Sequence, residues 1–417
     1  MRESPSRDAE KASPKFTPHT IRSLSVSSHV VVLFCLLLNV YAGWYFFTPA
    51  LDNGWGDFDD DTWRRDTRRR NTLETIFDPF LTTGHEAMDT SYVPVQSYIY
   101  HFSTNVLRQE AWPIRVLGIW VHILNSVLVF FIAFRFMRSI PGAHMASLAF
   151  LIYPRNASTI GWLCASLAHG LVLFLYLSAF LLMQTFLHRS RREGSRWWEW
   201  WRLGAALVLF ILAVLTKELS TTLFAAVLLY DVLVVLGVRS LWPPKLKTVL
   251  GLLARHGAFF AVVVAAVVIQ RLKYDTGFVH TKFGGMEFGA RNPIRLIELS
   301  TLFVHWGPMW QPETTLWAMT AIYAVLMAGI WLSRRNPPLL FLVLWIPLIL
   351  TPFTISNFRE VQTLGRYLYE ASAVLAILIS LLAVRLVRWR PVLQYPVLCV
   401  GFFMLAFFAA SIPRIVS

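Results

Sequence analysis

Three adjacent aspartates, Asp59, Asp60 and Asp61, stand out in a chain that is otherwise mostly apolar. A carboxylate in a partly dry cleft can act as a general base toward a hydroxyl group. The plainer alternative is a solvated acidic turn that caps a helix beginning near Thr62. The triplet therefore indicates either acid–base chemistry or a helix cap, and its position in the chain has to decide between them.

A second set of candidate residues is charged and falls at short breaks between apolar stretches. Arg155 lies in YPRNAS, Lys217 and Glu218 lie in LTKELS, and Arg359 and Arg366 lie in NFREVQTLGRYLY. Charged groups at membrane depth usually mark function, and arginine can donate two parallel hydrogen bonds to a phosphate. These residues predict an anion pocket, and the alternative is that their side chains only reach into the headgroup region.

Polar residues inside the apolar stretches form the third set. His122 and Asn125 are three residues apart and so share one helix face, and His169 lies in a later stretch. Such groups more often satisfy each other or a neighbouring helix than bind a ligand. Metalloprotease, serine hydrolase and P-loop motifs do not occur in the sequence. Metal- or serine-dependent hydrolysis and ATP-driven pumping therefore have no support.

The elements that must position these residues are membrane helices. The chain is 56% hydrophobic and only 15% charged, with a mean hydropathy of +0.53, whereas soluble domains are about 25% charged. Several apolar stretches approach the ~20 residues that cross a hydrocarbon core. We therefore predict an all-α polytopic membrane protein. The net charge of +14 fits cationic loops that face anionic lipid, so we expect no nucleic acid partner.

Apolar length and polar breaks predict a bundle of about 11 spans. We expect a disordered cytoplasmic tail over 1–25, a transmembrane domain over 26–412, and an outer tail over 413–417. The predicted spans are 26–47, 113–137, 141–154, 157–187, 202–216, 219–238, 254–272, 314–333, 338–355, 366–388 and 392–412.

Arginine and lysine set the orientation of these spans. They crowd the short loops on one side, as in HRSRREGSRWWEWWR, and they are sparse in the short loops on the other side. That bias predicts a cytoplasmic amino terminus and two long outer loops, 48–112 and 273–313. Within the outer loops, 91–102 and 295–306 predict helices that lie in the interface plane. The aspartate triplet then falls on the non-cytoplasmic side.

Six motifs, taken in order, resemble one known superfamily. The chain resembles the GT-C glycosyltransferases that depend on a polyprenyl phosphate, and most of all the TMTC-type protein O-mannosyltransferases and their bacterial relatives. The resemblance covers about 50 to 385. The motifs are FDDD at 58–61, YVPVQSY at 92–98, HILN at 122–125, LIYPRNASTIGW at 151–162, LTKELSTTLFAAVLLYD at 215–231 and GRYLYEAS at 365–372.

The resemblance implies a membrane glycosyltransferase with its site on the outer face. The donor would be a sugar on a polyprenyl phosphate, and the acceptor a hydroxyl group of a protein, a lipid or a glycan. Asp59 would be the catalytic base with Asp60 beside it. A single displacement would invert the anomeric carbon, and it demands no metal, although the acid cluster leaves room for a divalent ion. The remaining predicted site residues are Arg155, Lys217, Arg359 and Arg366 for the donor phosphate, and Glu218, His122, Asn125, Tyr367 and Tyr369 for the pocket.

Two other functions stay open at this point. A transporter or flippase of an anionic lipid-linked substrate would also use cations at the outer turns, although transporters usually place charges near the bilayer midplane and show repeated halves. A catalytically degenerate GT-C scaffold is the other, because the sequence after Trp162 runs LCASLAHG without the charged pair usual in that family. We expect the bacterial inner membrane rather than the endoplasmic reticulum.

Replacing Asp59 by Asn tests the acidic triplet directly. The amide cannot accept the acceptor's proton, so we expect sugar transfer in membranes to fall about 100-fold or more. Transfer that persists with the variant as abundant as the wild type would show that Asp59 is not the base.

Overall fold

The computed structural model describes 26–54, 94–105, 110–193, 199–237, 246–274, 327–354 and 368–396, together with the isolated positions 324, 401, 403, 406, 407 and 410. All regular secondary structure within these residues is helical. The predicted all-α class is therefore confirmed.

The described bundle contains the following α-helices, numbered here along the chain. They are α1 (Val26–Phe47), α2 (Pro94–Asn105), α3 (Trp112–Met137), α4 (Ile140–Leu151), α5 (Pro154–Gly161), α6 (Leu163–Glu193), α7 (Trp200–Thr216), α8 (Thr222–Tyr230), α9 (Leu246–Tyr274), α10 (Pro337–Thr354) and α11 (Tyr369–Trp389). Short 3₁₀ turns at Thr48–Asp52 and Glu218–Thr221 follow α1 and α7, and a π-helical turn, Asp231–Leu236, extends α8.

Within the described residues, six helical segments are long and apolar enough to cross a membrane. Large apolar side chains of α1 and α9 point away from the bundle, and Phe34, Tyr41, Leu253 and Phe260 are each more than half exposed. Apolar faces of this extent are what lipid tails cover. The chain is therefore a multi-pass membrane protein.

The spans predicted at 141–154 and 157–187 differ from the helices observed there. The first is the 12-residue α4, whose length of about 18 Å is too short to cross alone. The second is divided, because Trp162 adopts extended backbone angles (φ −93°, ψ 113°) between α5 and α6. Pro154 begins α5, where its missing N–H costs no helical hydrogen bond. Apolar content alone does not reveal this break.

Several other sequence predictions concern the long loops and the termini. The predicted helix at 91–102 corresponds to α2. The terminal tails 1–25 and 413–417 and the predicted helix at 295–306 lie outside the described residues. So do most of the predicted spans 314–333 and 392–412, and the total of about 11 spans stays a prediction.

The core of the bundle is built around α3 and α6. Asn125 contacts Gly170, and ten residues further on Arg135 contacts Leu181, so the two helices run parallel. The shorter α4 packs against α3 and α11, while α6 also packs along α7. Aromatic side chains fill the space between α6 and α10; the ring centroids of Phe180 and Trp345 are 4.4 Å apart.

One end of the bundle collects arginines, and we call it the Arg385 end. Arg385 donates to Asn336 Oδ1 (2.8 Å), and Arg388 donates to the carbonyl oxygen of Met137 (3.1 Å). Loops predicted to share one side of the membrane therefore do meet at one end. The opposite end, where α7 ends and α11 begins, is called the Lys217 end below.

A close approach between α1 and α3 depends on Gly43. A Cβ atom there would lie 2.5 Å from Cγ1 of buried Ile123 and 3.2 Å from Cδ1 of Leu151. Membrane helices commonly use small residues for such contacts. Gly43→Ala is expected to cost about 1–3 kcal/mol of stability, seen as a lower melting temperature in detergent.

Gly204→Ala is the matched control for Gly43→Ala. Gly204 also lies within an apolar helix, α7, but an added Cβ meets no atom within 4 Å. We expect its melting temperature to be unchanged or slightly raised, since alanine favours a helix. Equal melting temperatures for the two variants would contradict the contact.

Candidate functional site

Lys217 lies at the point where α7 stops. Its backbone is extended (φ −163°, ψ 137°), and its N–H still donates to the carbonyl oxygen of Ala213 as the last bond of the helix. The 3₁₀ turn Glu218–Thr221 follows at once and reverses the chain into α8. The side chain of Lys217 is half-buried, so its ammonium group sits at the rim of the bundle instead of in open solvent.

A chain of polar atoms leads from Lys217 into the bundle. Lys217 Nζ lies 3.5 Å from His169 Nε2 on α6, and His169 Nδ1 lies 2.7 Å from Glu370 Oε1 on α11. The His169 and Glu370 side chains are 1% and 3% exposed. An ammonium group can donate hydrogen bonds but cannot accept them, so Lys217 donates to His169 Nε2. The ring proton of His169 is then on Nδ1, which donates to the Glu370 carboxylate. We call these three residues the Lys–His–Glu chain.

Next to this chain, Tyr369 joins α11 to α3. Its hydroxyl group donates to His122 Nδ1 (2.7 Å) and accepts from Asn125 Nδ2 (3.2 Å). His122 Nε2 donates to the carbonyl oxygen of Leu151 (2.9 Å), and Asn125 Nδ2 also donates to Gly170 O (2.9 Å). All three side chains are fully buried. The predicted shared face of His122 and Asn125 is therefore used to hold α11, and both ring nitrogens of His122 are occupied.

A third set of hydrogen bonds holds α5 against the start of α11. Ser372 donates to Asn156 Oδ1 (3.0 Å), and Asn156 Nδ2 donates to Phe150 O (2.8 Å). Asn156 is fully buried. Asn156 begins the tripeptide Asn-Ala-Ser, which has the form of a glycosylation sequon, but its side chain is used in packing inside the bundle.

Arg155 and Glu218, two further predicted site residues, flank the ties just described. Arg155 lies half-buried in the first turn of α5, and Glu218 lies half-buried directly after Lys217. Both belong to turns at the Lys217 end. Asp59, Asp60, Arg359, Arg366 and Tyr367 lie outside the described residues.

Arg115 is a residue that the sequence analysis missed. It is buried near the start of α3 and donates to two main-chain oxygens, Gly161 O (2.9 Å) and Gly54 O (2.5 Å). The segment after α1 is thereby fixed against the end of α5. Gly54 precedes Asp59 by five residues in the sequence. The described segment that leads toward the acidic triplet, which ends at Gly54, therefore lies at the Lys217 end.

Glu370 was also missed, although it lies in the quoted GRYLYEAS motif. A lone carboxylate at the start of an apolar span is by itself a strong functional indication. Its partner His169 is 201 residues away, so no local spacing could have joined the two. Among the described residues, no cluster of three His, Cys, Asp or Glu side chains could hold a metal ion.

Tyr369→Phe tests whether the three-residue network holds α11 in place. The loss of one hydroxyl group leaves His122 Nδ1 and Asn125 Nδ2 each without one buried partner, which is expected to cost about 1–3 kcal/mol. Thermal unfolding in detergent measures it. Tyr41→Phe, on the exposed face of α1, should leave the melting temperature unchanged; a Tyr369→Phe variant as stable as that control would refute the role.

Comparison with known proteins gives little beyond the geometry. No family model matches the chain, and no curated protein matches it. A search of solved structures returned the crystal structure of ArnT from Cupriavidus metallidurans in the apo state, with 16% sequence identity and a TM-score of 0.48. The overlap covers 86% of this chain and 60% of that one, so the chain matches only about 60% of the length of that protein. An overlap of this size does not indicate a shared activity, because one fold hosts many functions.

Proposed function

We propose that the chain is a membrane glycosyltransferase of the GT-C type that moves a sugar from a polyprenyl phosphate to a hydroxyl acceptor. The observation that carries the proposal is the Lys–His–Glu chain: a lysine at the rim of an apolar helix bundle, linked through an imidazole to a buried carboxylate. The family resemblance of the sequence motifs points to the same reaction.

Phosphate is the anion that best suits this position. A polyprenyl-phosphate sugar has an apolar tail that can lie along lipid-facing helices, and its charge then sits at the level of the helix ends. Lys217 is at such an end and is half-buried, so its charge acts in a medium that screens it less than water does. A cation preorganised there stabilises the charge that develops on the departing phosphate.

Arginines supply the rest of the proposed phosphate site. Arg155 lies at the same end of the bundle, in the first turn of α5. Arg359 and Arg366 precede α11, which begins beside the Lys–His–Glu chain. Their guanidinium groups would bind phosphate oxygens in pairs, which lysine cannot do. Glu218, next to Lys217 in sequence, would lie at the edge of that site.

The proposed reaction is a single displacement. Asp59, with Asp60 beside it, accepts the proton of the acceptor hydroxyl group as its oxygen attacks the anomeric carbon. The bond from that carbon to the phosphate oxygen breaks, and the lipid phosphate leaves with the electron pair. The configuration at the anomeric carbon inverts. Because the leaving group is already an anion, cations stabilise it and no protein acid has to protonate it.

A transporter of the same lipid-linked substrate is the rival function. It would need charged groups and interrupted helices around a central substrate site. In the described bundle, the Lys–His–Glu chain and Arg155 lie at helix ends, and His122 and Asn125 inside α3 are bonded to neighbouring helices. This distribution favours chemistry at one face over passage through the middle.

Lys217→Met tests the proposed phosphate role. Loss of the cation is expected to lower sugar transfer about 100-fold, the usual scale for a preorganised charge-stabilising group. Lys217→Arg keeps the charge but changes its shape, so we expect a smaller loss, about tenfold. Lys247→Met, exposed at the start of α9, is the matched control and should transfer normally.

The assay uses the purified protein in lipid nanodiscs, with the donor identified by mass spectrometry of any prenyl-phosphate sugar that copurifies. Wild-type protein that moves such a lipid across a bilayer without breaking the sugar–phosphate bond would establish the transporter instead. If Lys217→Met transfers sugar as fast as the wild type, Lys217 has no role in the reaction.

A further inference from the structure

We propose that Glu370 and His169 are positioning residues that hold the ammonium group of Lys217 in place for the donor phosphate. This inference rests on the proposed function and adds to it His169 and Glu370, to which the sequence analysis gave no role in the reaction. Glu370 acts only through His169, and His169 only through Lys217.

The geometry of the Lys–His–Glu chain indicates that Glu370 acts on His169, and that His169 in turn acts on Lys217. Glu370 Oε1 accepts from His169 Nδ1 at 2.7 Å, which leaves the lone pair of Nε2 facing Lys217 Nζ at 3.5 Å. An imidazole whose Nδ1–H is bound by a carboxylate keeps a fixed ring orientation and becomes a better acceptor at Nε2. The lysine side chain has four rotatable bonds and no rigid geometry of its own. A fixed acceptor therefore defines where its ammonium group rests.

Charge compensation supports the same conclusion. The Glu370 side chain is only 3% exposed, and its second oxygen, Oε2, has no hydrogen-bond partner in the described structure. A carboxylate so far from water is costly unless a cation compensates it. Among the described ion pairs, Glu370 is joined to His169, and through its ring to Lys217. A charged Glu370 therefore fits this buried position only if the lysine is charged and close.

A purely structural role would look different. The tie between Tyr369 and α3, one residue away, already anchors α11 with neutral groups at little electrostatic cost. A neutral pair could equally join α6 to α11 at position 370, so the bundle does not require a carboxylate for its packing. What the carboxyl group adds at position 370 is a hydrogen-bond acceptor that can carry a charge, placed behind Lys217.

The test is a double-mutant cycle on binding of undecaprenyl phosphate, which carries the phosphate and the tail but no sugar. Native mass spectrometry of nanodisc-embedded protein gives the dissociation constants of wild type, Glu370→Gln, Lys217→Met and the double variant. Glu370→Gln keeps the shape and an acceptor for His169 but removes the charge. We expect it to weaken binding about tenfold, and the double variant to bind no more weakly than Lys217→Met alone.

Ser372→Ala is the matched control, because it removes a buried hydrogen bond from the same turn of α11 without touching the Lys–His–Glu chain. The factor by which Ser372→Ala changes the dissociation constant should multiply with the factor for Lys217→Met when the two substitutions are combined. Should Glu370→Gln not accumulate as folded protein, His169→Gln replaces it and is expected to give the same non-additive result. In the transfer assay, Glu370→Gln should raise KM for the donor and leave KM for the acceptor unchanged.

The outcomes separate the two proposals. Wild type that binds undecaprenyl phosphate no better than Lys217→Met would overturn the phosphate role of the lysine and this inference with it. Tight wild-type binding together with multiplicative losses for Glu370→Gln and Lys217→Met would leave the proposed function standing and overturn the positioning role alone.

Discussion

The cost of keeping a carboxylate out of water shapes the Lys217 end of this bundle. Glu370 begins an apolar helix and is almost wholly buried. A buried acid that loses its partner destabilises a protein by about 3–5 kcal/mol. That penalty ties three distant parts of the chain together: α11 supplies the acid, α6 the imidazole, and the turn after α7 the ammonium group. The contacts that run from Glu370 through His169 thus help to define where Lys217 lies.

Further hydrogen bonds hold α11, the helix that carries Glu370. The Tyr369 hydroxyl group holds α11 to α3, and Ser372 holds it to α5 through Asn156. At the Arg385 end, Arg388 binds the last carbonyl oxygen of α3. Since the same helix is fixed at both of its ends, α11 has little freedom to slide along its axis. The start of α11, which carries Glu370, is therefore held in place from several sides.

The sequence predicted some of the helices closely and their partners poorly. Apolar length placed the spans 26–47 and 113–137 within one residue of α1 and α3. It could not detect the extended backbone of Trp162, because that break lies between two segments that are equally compatible with a helix. Spacing of three residues correctly put His122 and Asn125 on one face. That their common partner is a tyrosine more than 240 residues away follows from tertiary packing alone.

Arg115 has a consequence for how this protein can change over evolution. Its guanidinium group binds main-chain oxygens at Gly54 and Gly161, and every amino acid carries such an oxygen. Substitutions at positions 54 and 161 can thus change the side chains there without removing the main-chain oxygens that Arg115 binds. Position 115, in contrast, needs a long side chain with a forked donor group. The anchoring of the segment around Gly54 is in this way insulated from variation in the side chains that flank it, so the point where this segment meets the bundle can stay in place while the sequence around it changes.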